Sequence, residues 1–255
     1  MKTLAIVILT KNEEENVAEV VKNAQQCTSE VLIIDSGSTD KTVQLAKENG
    51  AKVFYRAWDG DFSAQRNFAL DKTTADIVLY LDADERIMPE TAEHIKKILA
   101  QDKNDLQYQV KRKATAFGET FNHGVLYPDY VLRMFPRDKV RWIGKVHEHP
   151  ECSCKVEKLK GYLEHHTYKN WAAWEKKFQL YTTIWAEDAY QSGKRTSKLA
   201  ILLHASAGFF KMFVVKAGFL DGWLGLYTCV NHFFYTMIKY LKLLELQNAH
   251  KKNER

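Results

Sequence analysis

Two aspartates separated by one residue, Asp82 and Asp84, follow directly on an apolar run in this chain. Residues 77–81 are apolar or aromatic throughout, which is typical of a strand buried on both faces of a parallel sheet. In open α/β sheets, ligands bind at the carboxyl ends of the strands, where these two carboxylates would lie. Carboxylates at this spacing can hold one hard divalent cation, which can in turn bridge phosphate oxygens. The pair therefore predicts a metal and phosphate site, and a polar loop that only ends the strand is the alternative.

The segments on either side of this pair would position it, because strands alternate with helices. Strands are predicted over three further apolar runs, residues 4–9, 30–34 and 52–55. A helical segment follows each of them, and Pro89 opens another after the aspartates. Such alternation is typical of βαβ units and a parallel sheet. Asn12 is expected to cap the first helix, with Glu15 at the capping-box position.

Further polar residues are predicted at the same edge of the sheet. Asp35 ends the second strand, and Arg66 lies on the helix before the aspartate pair. Right-handed connections would bring both side chains to the edge that carries Asp82 and Asp84. Neither a G-x-G-x-x-G stretch after the first strand nor a G-x-x-x-x-G-K-[ST] stretch is present. A nucleotide at this edge would therefore be bound through carboxylates and a metal ion.

Four motifs in this order resemble the inverting glycosyltransferases of family 2, which have the GT-A fold. They are Thr10-Lys11-Asn12-Glu13, Asp35-Ser36-Gly37-Ser38-Thr39-Asp40, Arg66-Asn67 and Leu81-Asp82-Ala83-Asp84. The resemblance covers roughly the first 150 residues. It implies an α/β, Rossmann-like and mostly parallel sheet with flanking helices. It also implies an enzyme that transfers a sugar from a nucleotide donor with the help of Mg²⁺ or Mn²⁺.

The resemblance also assigns roles to single residues. In this family the acid matching Asp35 contacts the base of a uridine-type donor, and the arginine matching Arg66 lies near the nucleotide. The first acid of the pair, Asp82, would contact the nucleoside, and Asp84 would ligate the metal. Ser36 stands where many members have a second aspartate, which leaves the role of Asp35 intact. The complete donor site by resemblance is Thr10, Asn12, Glu13, Asp35, Arg66 and Asp82.

The chemistry requires a base, because the acceptor hydroxyl must lose its proton as it attacks the anomeric carbon. Glu148 is the first candidate and Asp129 the second, since the segment beyond residue 100 reads as antiparallel strands of an acceptor half. Either His165 or His166 could complete the metal shell, and we assign His166 to it. The alternative for this histidine pair is an imidazole packed against the aromatic helix that follows.

Charge and apolar residues are distributed unevenly along the chain of 255 residues, whose net charge is +5. Residues 1–154 hold 21 Lys and Arg against 24 Asp and Glu, whereas residues 155–255 hold 16 against 8. The back half is rich in aromatic and aliphatic residues, and its longest uncharged run, 222–238, is shorter than the about 20 residues of a spanning helix. Lysine-rich interfacial helices fit this composition, with a buried oligomer interface as the alternative. We expect a catalytic domain over 1–168 and an amphipathic helical region over 169–255.

The compartment follows from the cysteines and the first residues. Four scattered cysteines do not form a disulfide scaffold, and the apolar start lacks a small-residue cleavage site. We therefore expect a cytoplasmic protein, peripheral on the inner face of the cytoplasmic membrane. Its expected partners are a nucleotide-sugar donor, a lipid-linked oligosaccharide and an anionic membrane surface, with a homo-oligomer possible and no nucleic acid.

Two short stretches narrow the resemblance. Val146-His147-Glu148, Leu220-Asp221-Gly222 and the overall length resemble a subgroup that transfers glucose onto heptose of the lipopolysaccharide inner core. This resemblance implies UDP-glucose as the donor and a lipid-linked glycan as the acceptor. A polypeptide acceptor is the main rival within the enzyme class. A non-catalytic module that binds sugar nucleotides and membranes is the alternative from another class.

Overall fold

The structure is a computed structural model that describes residues 1–101, 105–145, 148–168 and 170–253. It consists of two compact units. The first contains residues 1–112 and 129–165, and the second contains residues 113–128 and 166–255. Residues 113–128, which the sequence assigned to the catalytic domain, thus belong to the same compact unit as the C-terminal helices.

The secondary structure begins with the expected alternation of strands and helices and continues with strands alone. The strands are β1 Leu4–Thr10, β2 Glu30–Asp35, β3 Lys52–Tyr55, β4 Ile77–Asp82, β5 Glu85–Ile87, β6 Leu106–Ala116, β7 Glu119–Thr120, β8 Asp129–Pro136, β9 Arg141–Ile143, β10 His149–Glu151, β11 Lys155–Lys158 and β12 Leu163–Tyr168. The helices are α1 Val17–Ala24, α2 Thr42–Glu48, α3 Phe62–Leu70, α4 Pro89–Leu99, α5 Trp171–Gln191, α6 Lys198–Phe210 and α7 Gly222–Asn253.

The sheet of the first unit is mixed and runs in the order β3-β2-β1-β4-β8-β6. Its first four strands are parallel, whereas β8 pairs antiparallel with both β4 and β6. In the register of β1, Thr10 lies opposite Asp35, and Leu9 lies opposite Asp82. The predicted polar residues therefore share the carboxyl edge of the parallel strands, where a ligand of an open α/β sheet binds.

Apolar layers cover both faces of this sheet, as the uninterrupted apolar runs predicted. Successive residues of β1 alternate between the layers, with Ile6 and Ile8 in one and Ala5 and Val7 in the other. Each of these four side chains is at most 1% exposed. Burying an Ile or Val side chain fully stabilises the fold by about 1.5–3 kcal/mol. The edge that carries the polar residues is thus held by a rigid, fully buried scaffold.

The second unit is helical, and α5 packs along α7. The indole Nε1 of Trp174 donates to Asn231 Oδ1 at 3.0 Å, and Lys242 Nζ donates to Thr182 Oγ1 at 2.9 Å. The regularly spaced aromatic residues of α5 supply further ring contacts with α7, such as Trp185 with Tyr240 at 4.7 Å. Aromatic side chains of α5 thus pack on α7 within the helical unit.

One helical stretch among the described residues is long and apolar enough to cross a membrane, judged by length and composition alone. It runs from Lys198 to Val215, with a mean hydropathy of 1.5 and only 11% of its residues buried. It comprises α6 and the π-helical turn Lys211–Val215. A single stretch of this kind is weak evidence for a membrane span, and membrane association stays a prediction.

Candidate active site

Asp35 organises the loop that follows β2. Its Oδ1 accepts hydrogen bonds from the backbone N–H groups of Gly37 and Ser38, both at 2.9 Å. Its Oδ2 accepts from Thr10 Oγ1 at 3.0 Å and from Ser38 Oγ at 2.5 Å. Because Asp35 is 2% exposed, these four bonds satisfy a carboxylate that would otherwise be costly to bury. The predicted pair Thr10 and Asp35 is thus brought together, and Asp35 shapes the loop at the edge of the sheet.

Asn12 joins two loops at this edge and does not cap a helix, so the predicted capping box is wrong. Helix α1 begins at Val17, and Asn12 has a left-handed backbone with φ of 56°. Its side-chain Oδ1 accepts from the N–H of Thr39 at 2.8 Å, and its own N–H donates to Ser38 Oγ at 2.8 Å. Asparagine tolerates this conformation better than most residues. The neighbouring Glu13 accepts from Asn16 Nδ2 at 2.7 Å.

A pocket of about 250 Å³ opens beside these loops. It is lined by Leu9, Thr10, Lys11, Glu13, Ser36, Trp58, Phe62 and Gln65. Trp58 and Phe62 pack edge to face with ring centroids 4.6 Å apart. Gln65 is buried, and its Oε1 has no hydrogen-bond partner among the described residues. An aromatic wall and an unsatisfied acceptor are features that a planar, hydrogen-bonding ligand could use.

Side-chain hydrogen bonds join α3, the helix that carries Arg66, to β9 and the residue that follows it. Asp61 caps α3 by accepting from Ala64 N at 2.9 Å. Asn67 exchanges two bonds with the backbone of Trp142, donating at 2.8 Å and accepting at 2.9 Å. Ser63 Oγ donates to the carbonyl of Gly144 at 2.5 Å. The helix and β9 therefore hold their side chains in one fixed arrangement.

This arrangement brings Arg66 between two predicted site carboxylates. Arg66 Nη2 lies 3.7 Å from Asp82 Oδ1 and 3.7 Å from Glu148 Oε1. The guanidinium also lies 4.5 Å from the ring centroid of Trp142, and the buried Arg66 Nε has no hydrogen-bond partner among the described residues. Val146 and His147 of the predicted Val-His-Glu stretch lie outside the described residues. An arginine so placed can contact an anionic ligand without leaving the two carboxylates.

Asp82 is paired with guanidinium groups on two sides. Besides Arg66, it contacts Arg133, whose Nη2 lies 2.5 Å from Asp82 Oδ2. Burial raises the pKa of Asp82, but attraction to Arg133 and Arg66 outweighs burial and brings the pKa down to about 2. Asp82 is therefore ionised at neutral pH.

Asp84 has a different partner. Its Oδ2 lies 3.3 Å from Nε2 of His165, because β12 pairs antiparallel with β5 and puts His165 opposite Glu85. The carboxylate is 38% exposed. His166, our assignment for the metal shell, belongs to the second compact unit, and its role stays a prediction.

The donor set around Asp84 fits a hard divalent cation that is shared with a ligand. No three His, Cys, Asp or Glu side chains converge on one metal position among the residues that the structure describes. Mg²⁺ and related ions are commonly held by one or two carboxylates, with phosphate oxygens and water in the remaining positions. Asp84 would hold such an ion, with His165 beside it, and a bound diphosphate would supply further oxygens.

Asp129, the second candidate base, forms a bidentate pair with Arg112. Arg112 Nε lies 3.1 Å from Asp129 Oδ1, and Nη2 lies 2.8 Å from Oδ2. Both carboxylate oxygens are therefore engaged by the guanidinium of Arg112. Glu148 makes only the 3.7 Å approach to Arg66 within the described contacts. Glu148 therefore stays the first candidate for the base, and both assignments stay predictions.

Three residues of the site were missed from the sequence, namely Glu85, Arg133 and Trp142. Glu85 is fully buried directly after the aspartate pair, where its position gave it the appearance of an exposed loop acid. Arg133 lies within a run of apolar residues in β8, and an arginine flanked by apolar residues on a strand is the signal that could have identified it. Trp142 carries no signal in the sequence that separates it from an ordinary core residue.

A mixed α/β sheet with paired acids at the carboxyl edge of its parallel strands defines a GT-A-like protein. The model of the family described as "Glycosyl transferase family 2" matches residues 5–160, which is more than half of the chain. The chain therefore belongs to glycosyltransferase family 2 and is a glycosyltransferase. The resemblance stated from the four motifs is confirmed at the level of the family.

Relatives over nearly the whole length are themselves uncharacterized. An uncharacterized glycosyltransferase of Rickettsia typhi is 27% identical over 258 residues, covering 96% of this chain and 88% of its own. Another from Rickettsia prowazekii is 25% identical and covers 100% and 90%. The glycosyltransferase SunS of Bacillus subtilis is 29% identical over 152 residues, covering 58% of this chain and 35% of its own. None of these names supports the lipopolysaccharide subgroup.

Solved structures resemble the chain more distantly. Glucosyl-3-phosphoglycerate synthase of Mycobacterium tuberculosis, in complex with Mn²⁺, uridine diphosphate and phosphoglyceric acid, is 19% identical with a TM-score of 0.39. It covers 54% of this chain and 56% of its own. A structure described as a mycobacterial protein is 15% identical, with a TM-score of 0.46 and 76% of both chains covered.

Arg66→Ala should weaken the binding of UDP while leaving the fold intact. The loss of a hydrogen bond to a charged group typically costs about 1.5–3 kcal/mol, which corresponds to roughly a ten- to hundredfold rise in Kd. Isothermal titration calorimetry with UDP in the presence of Mn²⁺ measures the effect. Arg137→Ala is the matched control, because Arg137 bonds the carbonyl of Ala75 before the amino end of β4. Equal UDP affinity in the two variants would remove Arg66 from the site.

Proposed function

We propose that this chain is a metal-dependent inverting hexosyltransferase that takes its sugar, glucose by the subgroup resemblance, from a UDP-sugar. The observation that carries the proposal is the position of Arg66, 3.7 Å from both Asp82 and Glu148 at the carboxyl edge of the parallel strands. At this edge, the guanidinium of Arg66 would bind the donor, the carboxylate of Asp82 would contact the nucleoside, and the carboxylate of Glu148 would act on the acceptor. Asp84 lies on the same edge, two residues beyond Asp82.

In the proposed reaction, Glu148 accepts the proton of the acceptor hydroxyl as the oxygen attacks the anomeric carbon. The new bond forms on the face opposite the diphosphate, and the bond between the anomeric carbon and the phosphate oxygen breaks, so the configuration inverts. Arg66 holds the donor through its guanidinium and orients Glu148 beside it. A cation held by Asp84 would supply Lewis-acid stabilisation to the departing diphosphate. Base catalysis of this kind contributes typically a hundred- to ten-thousandfold to the rate.

The proposed acceptor is a lipid-linked glycan, such as the inner-core heptose of lipopolysaccharide or lipooligosaccharide. It rests on the subgroup resemblance and on the surface of the second unit. Large apolar side chains there are strongly exposed, among them Leu199 at 68%, Val215 at 67% and Trp223 at 75%. Lys198, Lys211 and Lys216 are interspersed with them. This combination supports a peripheral position on an anionic cytoplasmic leaflet, and a polypeptide acceptor would leave these side chains without a role.

The full-length chain should float with anionic vesicles, less at high salt but still measurably. Each Lys or Arg near an anionic surface contributes about 1 kcal/mol, which salt screens, whereas inserted apolar side chains contribute a term that salt does not screen. Replacing Leu199 and Leu203, which lie one turn apart on α6, by glutamine should reduce flotation. Val156→Gln on β11 is the control, since Val156 is 44% exposed but belongs to the first unit. A chain that stays soluble in every condition rules out the peripheral-membrane proposal.

Calorimetric titration with a set of nucleotides tests the proposed donor class. We expect binding of UDP in the presence of Mn²⁺, weaker binding in EDTA, and weak or no binding of GDP and ADP. Equal affinity for all nucleoside diphosphates would contradict the uridine donor. Absence of any nucleotide binding by the folded, full-length protein would contradict the proposed function as a whole.

A further inference from the structure

Glu85 is a buried acid that the proposed reaction does not use. It follows the aspartate pair directly and is 0% exposed. Its Oε2 accepts from the backbone N–H of Asp82 at 3.1 Å, and its Oε1 lies 2.5 Å from Arg133 Nη2 and 3.5 Å from Arg112 Nη1. Burial raises the pKa of Glu85, the guanidinium of Arg133 opposes this rise, and the nearby Asp82 carboxylate adds to it. Such a group is costly to bury, so its position needs a reason beyond packing.

Arg133 links Glu85 to Asp82 with a single nitrogen. Its Nη2 lies 2.5 Å from Asp82 Oδ2 and 2.5 Å from Glu85 Oε1, and the residue is 5% exposed. The position follows from the sheet, because β8 pairs antiparallel with β4 and carries Arg133 alongside the end of that strand. A buried ion pair adds little net stability, since desolvation can exceed the attraction between the charges. Fixing the direction of a carboxylate is a role for which such a cost is tolerated.

The two acids of the Asp82-Ala83-Asp84 motif therefore have different partners. Oδ2 of Asp82 is taken by Arg133, and Oδ1 is directed toward Arg66. The two guanidinium groups offset the charge of Asp82, which makes it a poor ligand for a cation. Asp84, in contrast, is paired with the imidazole of His165.

We propose that Glu85 and Arg133 are positioning residues that keep Asp82 turned toward the nucleotide and leave cation binding to Asp84. Glu85 holds Asp82 at two points. It accepts a hydrogen bond from the backbone N–H of Asp82 directly, and it holds the Asp82 carboxylate through Arg133, which contacts both side chains. This inference rests on the proposed function, because it specifies how the same edge distinguishes nucleotide from cation. The different roles of Asp82 and Asp84 would then be determined by Glu85 and Arg133, which lie outside the Asp82-Ala83-Asp84 motif.

Replacing Arg133 tests the inference through two binding constants that should shift in opposite directions. In Arg133→Met, Asp82 is free to turn, so the Kd for UDP measured with saturating Mn²⁺ should rise about tenfold or more. The same variant leaves an uncompensated carboxylate two residues from Asp84. Its Kd for Mn²⁺ without nucleotide should therefore fall about fivefold. A residue with a merely structural role would weaken both or neither.

Two further variants keep the test decisive. Arg133→Lys retains a cation that can donate to both carboxylates, so it should restore both constants to within about threefold of the wild type. Arg137→Met controls for the loss of a guanidinium elsewhere on the first unit. Arg133→Met should unfold at a lower temperature than Arg133→Lys, because it leaves the buried Glu85 without its cation, so both variants are titrated well below their Tm values. Altered binding in the folded Met variant alone supports positioning. Unchanged UDP and Mn²⁺ binding in Arg133→Met, or equal defects in the Lys and Met variants, would overturn the inference. Failure of the wild type to bind UDP would instead contradict the proposed function.

Discussion

Asp84→Asn should abolish sugar transfer with little change in folding. The substitution keeps the size of the side chain but removes the charge that would hold the cation. The cation's stabilisation of the departing diphosphate is worth several kcal/mol, so turnover should fall by at least about a thousandfold. Because Asp84 is 38% exposed and its partner is a partly exposed histidine, its charge contributes little to stability. The release of UDP from a UDP-sugar measures turnover, and thermal unfolding measures stability.

Asp138→Asn is the matched control for this variant. Asp138 is exposed and lies after the end of β8, far along the chain from the motif. It should transfer normally with the same dependence on metal. Normal turnover in Asp84→Asn, with metal still required, would remove Asp84 from the metal site.

Glu148→Gln should keep donor binding and lose transfer. The amide cannot accept the proton of the acceptor hydroxyl, and removal of a general base typically costs a hundred- to ten-thousandfold in rate. UDP affinity should change little, since Arg66 remains in place beside Asp82. Calorimetry and initial-rate kinetics on the same preparation separate the two effects.

Variants of two other carboxylates serve as controls for Glu148→Gln. Glu151→Gln, on β10 of the same hairpin, should be neutral, because Glu151 is exposed and pairs with Arg141 only through the backbone register. Asp129→Asn should retain most activity, because the bidentate contact with Arg112 engages both of its carboxylate oxygens. If Asp129→Asn loses transfer while Glu148→Gln retains it, the base has been assigned to the wrong residue.

The parallel half of the sheet could be predicted from the sequence because its strands are buried on both faces. Continuous apolar runs and the polar residue at the end of each mark β1, β2 and β4 to within a residue. The parallel register then brings Thr10, Asp35 and Asp82 to one edge, since each is the last residue of its strand and the registers differ by one residue at most. That part of the site is a consequence of local pattern and chain connectivity.

The partners of these residues could not be predicted in the same way. Arg133 meets Asp82 across 51 residues of sequence, and Trp142 meets Asn67 across 75, so both contacts depend on the packing of strands whose register the sequence leaves open. Asn12 satisfied the local rule for a helix cap, but its side chain is used by Thr39, which lies 27 residues away. Local propensity was overridden there by a contact between two loops.

That residues 113–128 belong to the helical unit could not be predicted from the sequence either. The segment is held there by Asp221, which accepts hydrogen bonds from the backbone N–H groups of Asn122 and His123 at 3.0 and 2.7 Å. Asp221 Oδ1 also lies 2.8 Å from His123 Nδ1. In the sequence, Leu220-Asp221-Gly222 indicates only the subgroup resemblance, whereas in the structure Asp221 holds residues 122 and 123 in place.

Proton NMR of UDP-glucose incubated with the full-length protein tests the central claim most directly. With Mn²⁺ and water as the acceptor, an inverting transferase converts the α-linked donor to β-glucose first, before mutarotation mixes the anomers. We predict that β-glucose and UDP appear together, that EDTA prevents both, and that Asp84→Asn and Glu148→Gln produce neither. Release of α-glucose first, or equal rates in Mn²⁺ and EDTA, would contradict an inverting, metal-dependent reaction at this site.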